Sequence, residues 1–191
     1  VPFWFNTRIE TISADKLEKL KSINCNRISV GLESGSEHVR KKLLRRHYTN
    51  DYFVNKFKIL YNYNISVSVN NILGFPDETR DQIFETIDLN KRIKADDYGA
   101  YIFQPYHGSR LRDLCAEKGY IREDYLAGDA HLSTDLNMPS ITKQEISGLQ
   151  RTFMLYVKLP MQFYDDIKIA ERFDREGNAK FKELAKLVNK R

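Results

Sequence analysis

The stretch that decides the fold is Arg27-Ile28-Ser29-Val30-Gly31-Leu32-Glu33-Ser34-Gly35-Ser36-Glu37. Side chains alternate along a strand, so Ile28, Val30 and Leu32 share one face while Arg27, Ser29 and Glu33 share the other. The alternation breaks at Ser34-Gly35-Ser36, where Ser36 is placed to cap a helix running through Leu44. A half-polar strand delivered by a short turn into a helix is one βα unit.

The unit recurs on both sides. Upstream, residues 2–10 read as a strand with Asn6, Arg8 and Glu10 opposite Phe5 and Ile9; a helix over 14–23 follows, with Leu17, Leu20 and Ile23 on one face. Downstream, Asn50 is placed to cap a helix through Tyr63 whose apolar side is Phe53, Phe57, Leu60 and Tyr61. A third strand follows, with Ser66, Ser68 and Asn70 opposite Ile65, Val67 and Val69. It ends in the turn Gly74-Phe75-Pro76-Asp77, and Thr79 opens a helix through Ile93. A fourth strand over 98–104 leads to a helix capped by Ser109 and stopped by Gly119. Four strands alternating with helices predict a parallel sheet with right-handed crossovers. Residues 120–140 look irregular, and helices are expected at 141–158, 161–172 and 177–189. The chain thus divides into an α/β part, 1–119, and an irregular connection with a helical extension, 120–191.

The polar strand faces narrow the architecture. Parallel strands covered by helices on both sides are nearly all apolar, and a closed eight-stranded barrel fills its interior with branched apolar side chains. These strands do neither. Their polar face lines something wet or occupied, such as the lumen of an open barrel, or lies in water.

Composition sets outer bounds. The chain has 191 residues, 41% hydrophobic and 30% charged, with a net charge of +5. No apolar run approaches the ~20 residues of a membrane span, and no signal peptide is visible. Two cysteines, Cys25 and Cys115, supply neither a disulfide framework nor a metal cluster, so a reduced, cytoplasmic setting is expected. The opening Val1-Pro2-Phe3-Trp4-Phe5 lacks an initiator methionine and reads as a cut at the start of a strand. A first strand left as an open apolar edge is expected to self-associate.

The chemistry-bearing residues cluster at strand ends, where ligand sites of parallel α/β folds lie. Glu33, Ser34 and Ser36 offer an anion and two hydroxyls suited to a ribose or an ammonium group, and equally suit a capped turn. Gly74 presents no side chain to block a flat group. Around Phe103-Gln104-Pro105-Tyr106, backbone groups beside a proline are free to meet a purine edge. Arg46 suits a carboxylate, or belongs to a solvated basic patch with Arg40 and Arg45. His107 is a surface histidine before it is a base.

In their order, Arg8-Ile9-Glu10, Ile28 to Glu37, Ile72 to Thr79 and Pro105 to Ser109 resemble the later strands of the radical S-adenosylmethionine superfamily. The resemblance covers about residues 3–119. It is closest to the branch with a cobalamin-binding domain, which Arg151 to Tyr156 and Pro160 also resemble, and next to the methylthiotransferases. It implies a partial (β/α) barrel, this chain holding strands three to six of six, followed by C-terminal helices. It also implies S-adenosylmethionine and a [4Fe-4S] cluster in the intact enzyme, with cobalamin as a further candidate and a reductant protein as partner. The family's cluster sits on Cys-x3-Cys-x2-Cys, which is absent here, so the fragment alone is expected to be inactive.

By the same resemblance the intact enzyme cleaves S-adenosylmethionine to a 5′-deoxyadenosyl radical or uses it in radical methyl transfer. Glu33, Ser34 and Ser36 would face its ribose and methionine parts, and Arg46 its carboxylate. Ile72 and Gly74 would flank adenine, whose edge meets Phe103, Gln104 and Tyr106. Arg8, Glu10 and Asn70 would face the substrate in the lumen. Asp77 stands where a glycine is common, and His107-Gly108-Ser109-Arg110 replaces a proline-glycine-threonine run. Two other readings remain. A different (β/α) barrel binding a phosphorylated metabolite requires a glycine-rich loop that the sequence lacks. A nucleic-acid or protein-binding module would use Arg40 to Arg46.

Overall fold

The structure, a computed structural model, describes residues 1–131 and 133–189. Four strands form one sheet in the order β1-β2-β3-β4: β1 (Phe3–Arg8), β2 (Cys25–Glu33), β3 (Ser66–Leu73) and β4 (Asp97–Ile102). β1 runs parallel to β2, and β2 parallel to β3. The connections carry α1 (Ala14–Ser22), then α2 (Glu37–Lys42) with α3 (Asn50–Leu60), then α4 (Arg80–Lys91). The parallel α/β class expected from the alternation is therefore the observed one. The chain divides into two compact units, Val1–Asn71 with Phe84–Gly99, and Ile72–Ile83 with Ala100–Arg191.

In the first unit, Ile28, Val30 and Leu32 are fully buried, as the alternation requires, together with Leu17, Phe53, Phe57 and Ile87. The polar faces of the strands are in register: Asn6 lies opposite Ser29, and Ser29 opposite Ser68; one step on, Arg8 lies opposite Gly31, and Gly31 opposite Asn70. The first row is dry where it crosses β2 and β3. Ser29 and Ser68 are buried and bond each other at 2.6 Å, so the wet-lumen expectation does not hold at that level. The helix expected from Asn50 is capped one residue earlier, by Thr49, whose hydroxyl accepts from the Tyr52 amide. Ser36 does occupy the N-cap of α2, but its hydroxyl makes no cap bond.

The second unit contains α5 (Arg110–Glu117), α6 (Lys143–Lys158), α7 (Tyr164–Ala170) and α8 (Arg175–Asn189). Thr142 and Glu145 form a reciprocal capping box at the start of α6. The buried side of α6 is Ile146, Leu149, Thr152, Phe153 and Tyr156, at helical spacing. Where α6 meets the end of α7 the backbones come close: a β-carbon on Gly148 would stand 2.8 Å from the Glu171 carbonyl oxygen. Arg80 then closes the unit, with both terminal nitrogens on the two Glu171 carboxylate oxygens at 2.9 and 2.5 Å.

Candidate functional site

In the first unit the end of β2 is built around Glu33. Its backbone is left-handed, at φ 68°, and the β2–β3 register shifts between Gly31 and Glu33. A bulky L-residue held in that region is strained, and such strain clusters at ligand sites. Its carboxylate folds back over Gly31, where a β-carbon would stand 2.4 Å from Oε1. Arg46 fixes it there, donating from Nη2 to Glu33 Oε1 at 3.0 Å and from Nη1 to the Gly31 carbonyl at 2.9 Å. Both side chains remain partly open, 19% and 14% exposed. Burial raises the Glu33 carboxyl above the ordinary range, while Arg46 and then Arg8 pull it back. The structure thus brings together Glu33, Arg46 and the row Arg8–Gly31–Asn70. Glu10 joins through an exposed ion pair with Arg8 at 3.0 Å.

Ser34 and Ser36 lie inside the loop. They are 0% and 1% exposed, and Ser34 Oγ accepts from the Ser36 amide at 3.2 Å. Arg40 is the residue that sequence reasoning misplaced. Its position in a basic run reads as surface, yet it is fully buried. Nη1 donates to the Ser34 carbonyl at 2.6 Å, Nη2 donates to Asn50 Oδ1 at 2.6 Å, and the guanidinium lies 4.9 Å from the Tyr48 ring centroid. With Arg40 buried and Arg46 paired, the basic module loses two of its arginines.

In the second unit, Gly74 has φ 83°, and the Gly74 and Phe75 amides donate to Glu78 Oε2 at 2.7 and 3.2 Å. Glu78, fully buried, was visible in the sequence only as a turn residue. Asp77 also has a left-handed backbone, φ 63°, which is why a glycine suits that position. Its carboxylate accepts from the Tyr120 hydroxyl and pairs with Lys118 at 2.8 Å, and these partners hold it below the ordinary carboxylate range. Ile72 is half-buried, and the Phe103 ring packs at a tilt against Phe75 with centroids 5.3 Å apart. Gln104 is occupied: its Oε1 accepts from the Tyr125 hydroxyl and the Gly128 amide, and its Nε2 donates to the Ser133 carbonyl. Tyr106 is exposed.

Comparison with known proteins follows the same strands. Residues 4–89 match the family model of the Radical SAM superfamily. Over that stretch the chain is similar to a radical SAM domain. A tRNA-2-methylthio-N(6)-dimethylallyladenosine synthase of Clostridium tetani is 32% identical over 92 residues, which are 47% of this chain and 20% of that protein. An uncharacterized methyltransferase of Pyrococcus horikoshii is 23% identical over 174 residues, 90% of this chain and 36% of the relative. The matched stretch thus spans between about a fifth and a third of these relatives' lengths. Among solved structures, the cobalamin-dependent S-adenosylmethionine radical enzyme OxsB overlays with a TM-score of 0.54 at 12% identity, covering 99% of this chain and 34% of that one. The radical S-adenosylmethionine methyltransferase TsrM of Kitasatospora setae overlays with a TM-score of 0.51 at 17% identity, covering 61% and 24%. These likenesses show the fold of the radical SAM barrels.

The superfamily implies two groups, and the residues of this chain fit one of them. Glu33 and Arg46, one anion and one cation over a glycine floor, suit the ammonium, diol and carboxylate of S-adenosylmethionine. An iron–sulfur cluster does not fit. Both cysteines are buried and their thiols raised by desolvation, Cys115 to about 11, the opposite of a ligating thiolate. Among the described residues no group of three or more His, Cys, Asp or Glu is placed to hold a metal. Nor is any described helix long and apolar enough to cross a membrane.

Proposed function

We propose that this chain supplies S-adenosylmethionine-binding strands of a radical enzyme, with Glu33 and Arg46 as the groups that meet the cofactor. The carrying observation is Glu33 itself: a partly open carboxylate on a strained backbone at the end of a central parallel strand, held over Gly31 by Arg46. Glu33 accepts from the ribose diol or the amino group, and Arg46 turns one nitrogen toward the carboxylate of the methionine part. Ser34 and Ser36 shape the loop from within. Arg8 and Asn70, in register with Gly31, face the substrate.

Held by Glu33 and Arg46, S-adenosylmethionine would supply 5′-deoxyadenosyl radical formation or radical methyl transfer in an enzyme whose cluster these residues do not hold. The chain's two cysteines, Cys25 and Cys115, cannot supply three thiolates to a cluster; in this reading the chain by itself is inactive and the intact enzyme takes electrons from a reductant protein. Cobalamin is a further cofactor in this reading, supported by the likeness to OxsB and TsrM.

Ligand-observed saturation-transfer NMR on the chain tests the assignment. S-adenosylmethionine should receive saturation from the protein and lose it in Glu33→Ala. Equal transfer in both proteins removes Glu33 from the site, and no transfer to the wild type overturns the reading.

A further inference from the structure

The loop that follows Glu33 does not stand only on its own Ser36–Ser34 bond and on Arg40. Its middle residue, Gly35, lies against the backbone of α4, where a β-carbon would be 2.4 Å from both the Glu85 carbonyl oxygen and Thr86 Cα. There the Gly35 amide donates to Thr86 Oγ1 at 2.7 Å, and Ser34 Oγ lies 3.4 Å from the same hydroxyl. Thr86 is fully buried.

The bonding continues inward from Thr86. Its carbonyl accepts from Asn90 Nδ2 at 2.8 Å, and Asn90 Nδ2 also donates to Asn71 Oδ1 at 2.8 Å. Asn71 Nδ2 returns a bond to Asn90 Oδ1 at 3.3 Å and donates to the Gly99 carbonyl at 2.9 Å. Asn71 and Asn90 are both fully buried. Asn71 interrupts the apolar side of β3, where Val67 and Val69 precede it. A buried polar chain with its donors and acceptors matched holds a single arrangement, because any slip strands polar groups away from water. This one links the loop after β2 to α4, β3 and the start of β4, all within the first unit.

We propose that Thr86 is a positioning residue for S-adenosylmethionine, fixing the Ser34–Ser36 loop and through it the left-handed backbone of Glu33. This rests on the reading of Glu33 given above. Thr86 itself touches no ligand. Its hydroxyl holds the Gly35 amide, and the loop so anchored leaves Glu33 one direction in which to point, over Gly31 toward Arg46. A free loop would let the strained φ of Glu33 relax and carry the carboxylate away.

The test pairs two substitutions on the chain. Thr86→Val keeps the shape and removes the hydroxyl, leaving the Gly35 amide without its acceptor; Thr86→Ser keeps the hydroxyl and removes a methyl. Two quantities are read: the dissociation constant for S-adenosylmethionine by ligand-observed NMR titration, and amide hydrogen exchange over residues 34–37. Loss of a buried acceptor corresponds to about tenfold weaker binding. The expected result is that weakening in Thr86→Val with faster exchange at Gly35, and binding within about twofold of wild type in Thr86→Ser. Unchanged binding in Thr86→Val overturns the inference alone. Equal losses in both variants also overturn it, since they show packing rather than the hydroxyl at work. Failure of the wild type to bind overturns the Glu33 reading and this inference together.

Discussion

A β-carbon added to Gly31 would stand 2.4 Å from Glu33 Oε1, so the two residues compete for one space at the end of β2. The obstruction is the far end of a flexible side chain. Gly31→Ala should therefore leave stability within about 1 kcal/mol of wild type while turning the Glu33 carboxylate away from Arg46. Urea unfolding should be nearly unchanged, and S-adenosylmethionine saturation transfer should fall toward that of Glu33→Ala.

Gly35→Ala should behave in the opposite way. Its β-carbon meets backbone of α4 at 2.4 Å, which cannot rotate aside. Overpacking of this kind costs about 3 kcal/mol, and the urea midpoint should drop accordingly. A Gly35→Ala protein as stable as wild type would mean that the loop stands off from α4.

The raised Glu33 carboxyl sets a pH dependence. The folded state holds this proton to higher pH than an unfolded carboxyl, whose ordinary pKa is about 4.3, so the group's contribution to stability is greatest below that range and is lost as pH rises through the folded value. Arg46→Met removes the cation that pulls the carboxyl back. It should shift the loss to higher pH and destabilise the protein at neutral pH by about 3 kcal/mol. Urea unfolding from pH 4 to 8 reads both; a slope of the opposite sign in Arg46→Met would refute the assignment.

Glu171 accepts from both terminal nitrogens of Arg80 and from the Tyr156 hydroxyl, the last at 2.6 Å. Tyr156→Phe should cost about 2 kcal/mol, one bond to a charged acceptor. Glu171→Ala should cost about 3 kcal/mol because Arg80 is left half-buried without its carboxylate. In the double variant the costs should fall short of their sum, which a double-mutant cycle by urea unfolding measures.

With Cys115 raised to about 11 and Cys25 also raised by burial, few thiolates exist at pH 8. Labelling with Ellman's reagent should be slow in buffer and fast in urea. Anaerobic incubation of the chain with iron and sulfide should leave no protein-bound cluster absorption.

Much of the fold is legible because alternation and capping are local. Ile28, Val30 and Leu32 against Arg27, Ser29 and Glu33 foretell β2, and Ser109 caps α5 where the sequence puts it. Glu33 and Arg46 could be singled out from their position at a strand end and a helix exit. What local pattern cannot carry is partnership across distance. Arg40 reads as one more cation in a basic run until α2 turns it inward onto Ser34 and Asn50. Asn71 breaks an apolar alternation with no visible reason until Asn90 arrives nineteen residues later in the chain. Thr86 is one polar residue on a helix until Gly35 is laid against it. The polar strand face is legible from the alternation, but not that Ser29 and Ser68 bond each other across it.

The order of the strands across the sheet is also their order along the chain. Each strand therefore meets its partner after one crossover connection, of which that between β2 and β3 carries two helices. Such a sheet can be laid down as the chain leaves the ribosome, with no strand waiting for a later one to be threaded between it and its neighbour. Protease protection of ribosome-bound nascent chains should then grow in steps of one strand with its crossover as the chain lengthens, and not appear all at once on release.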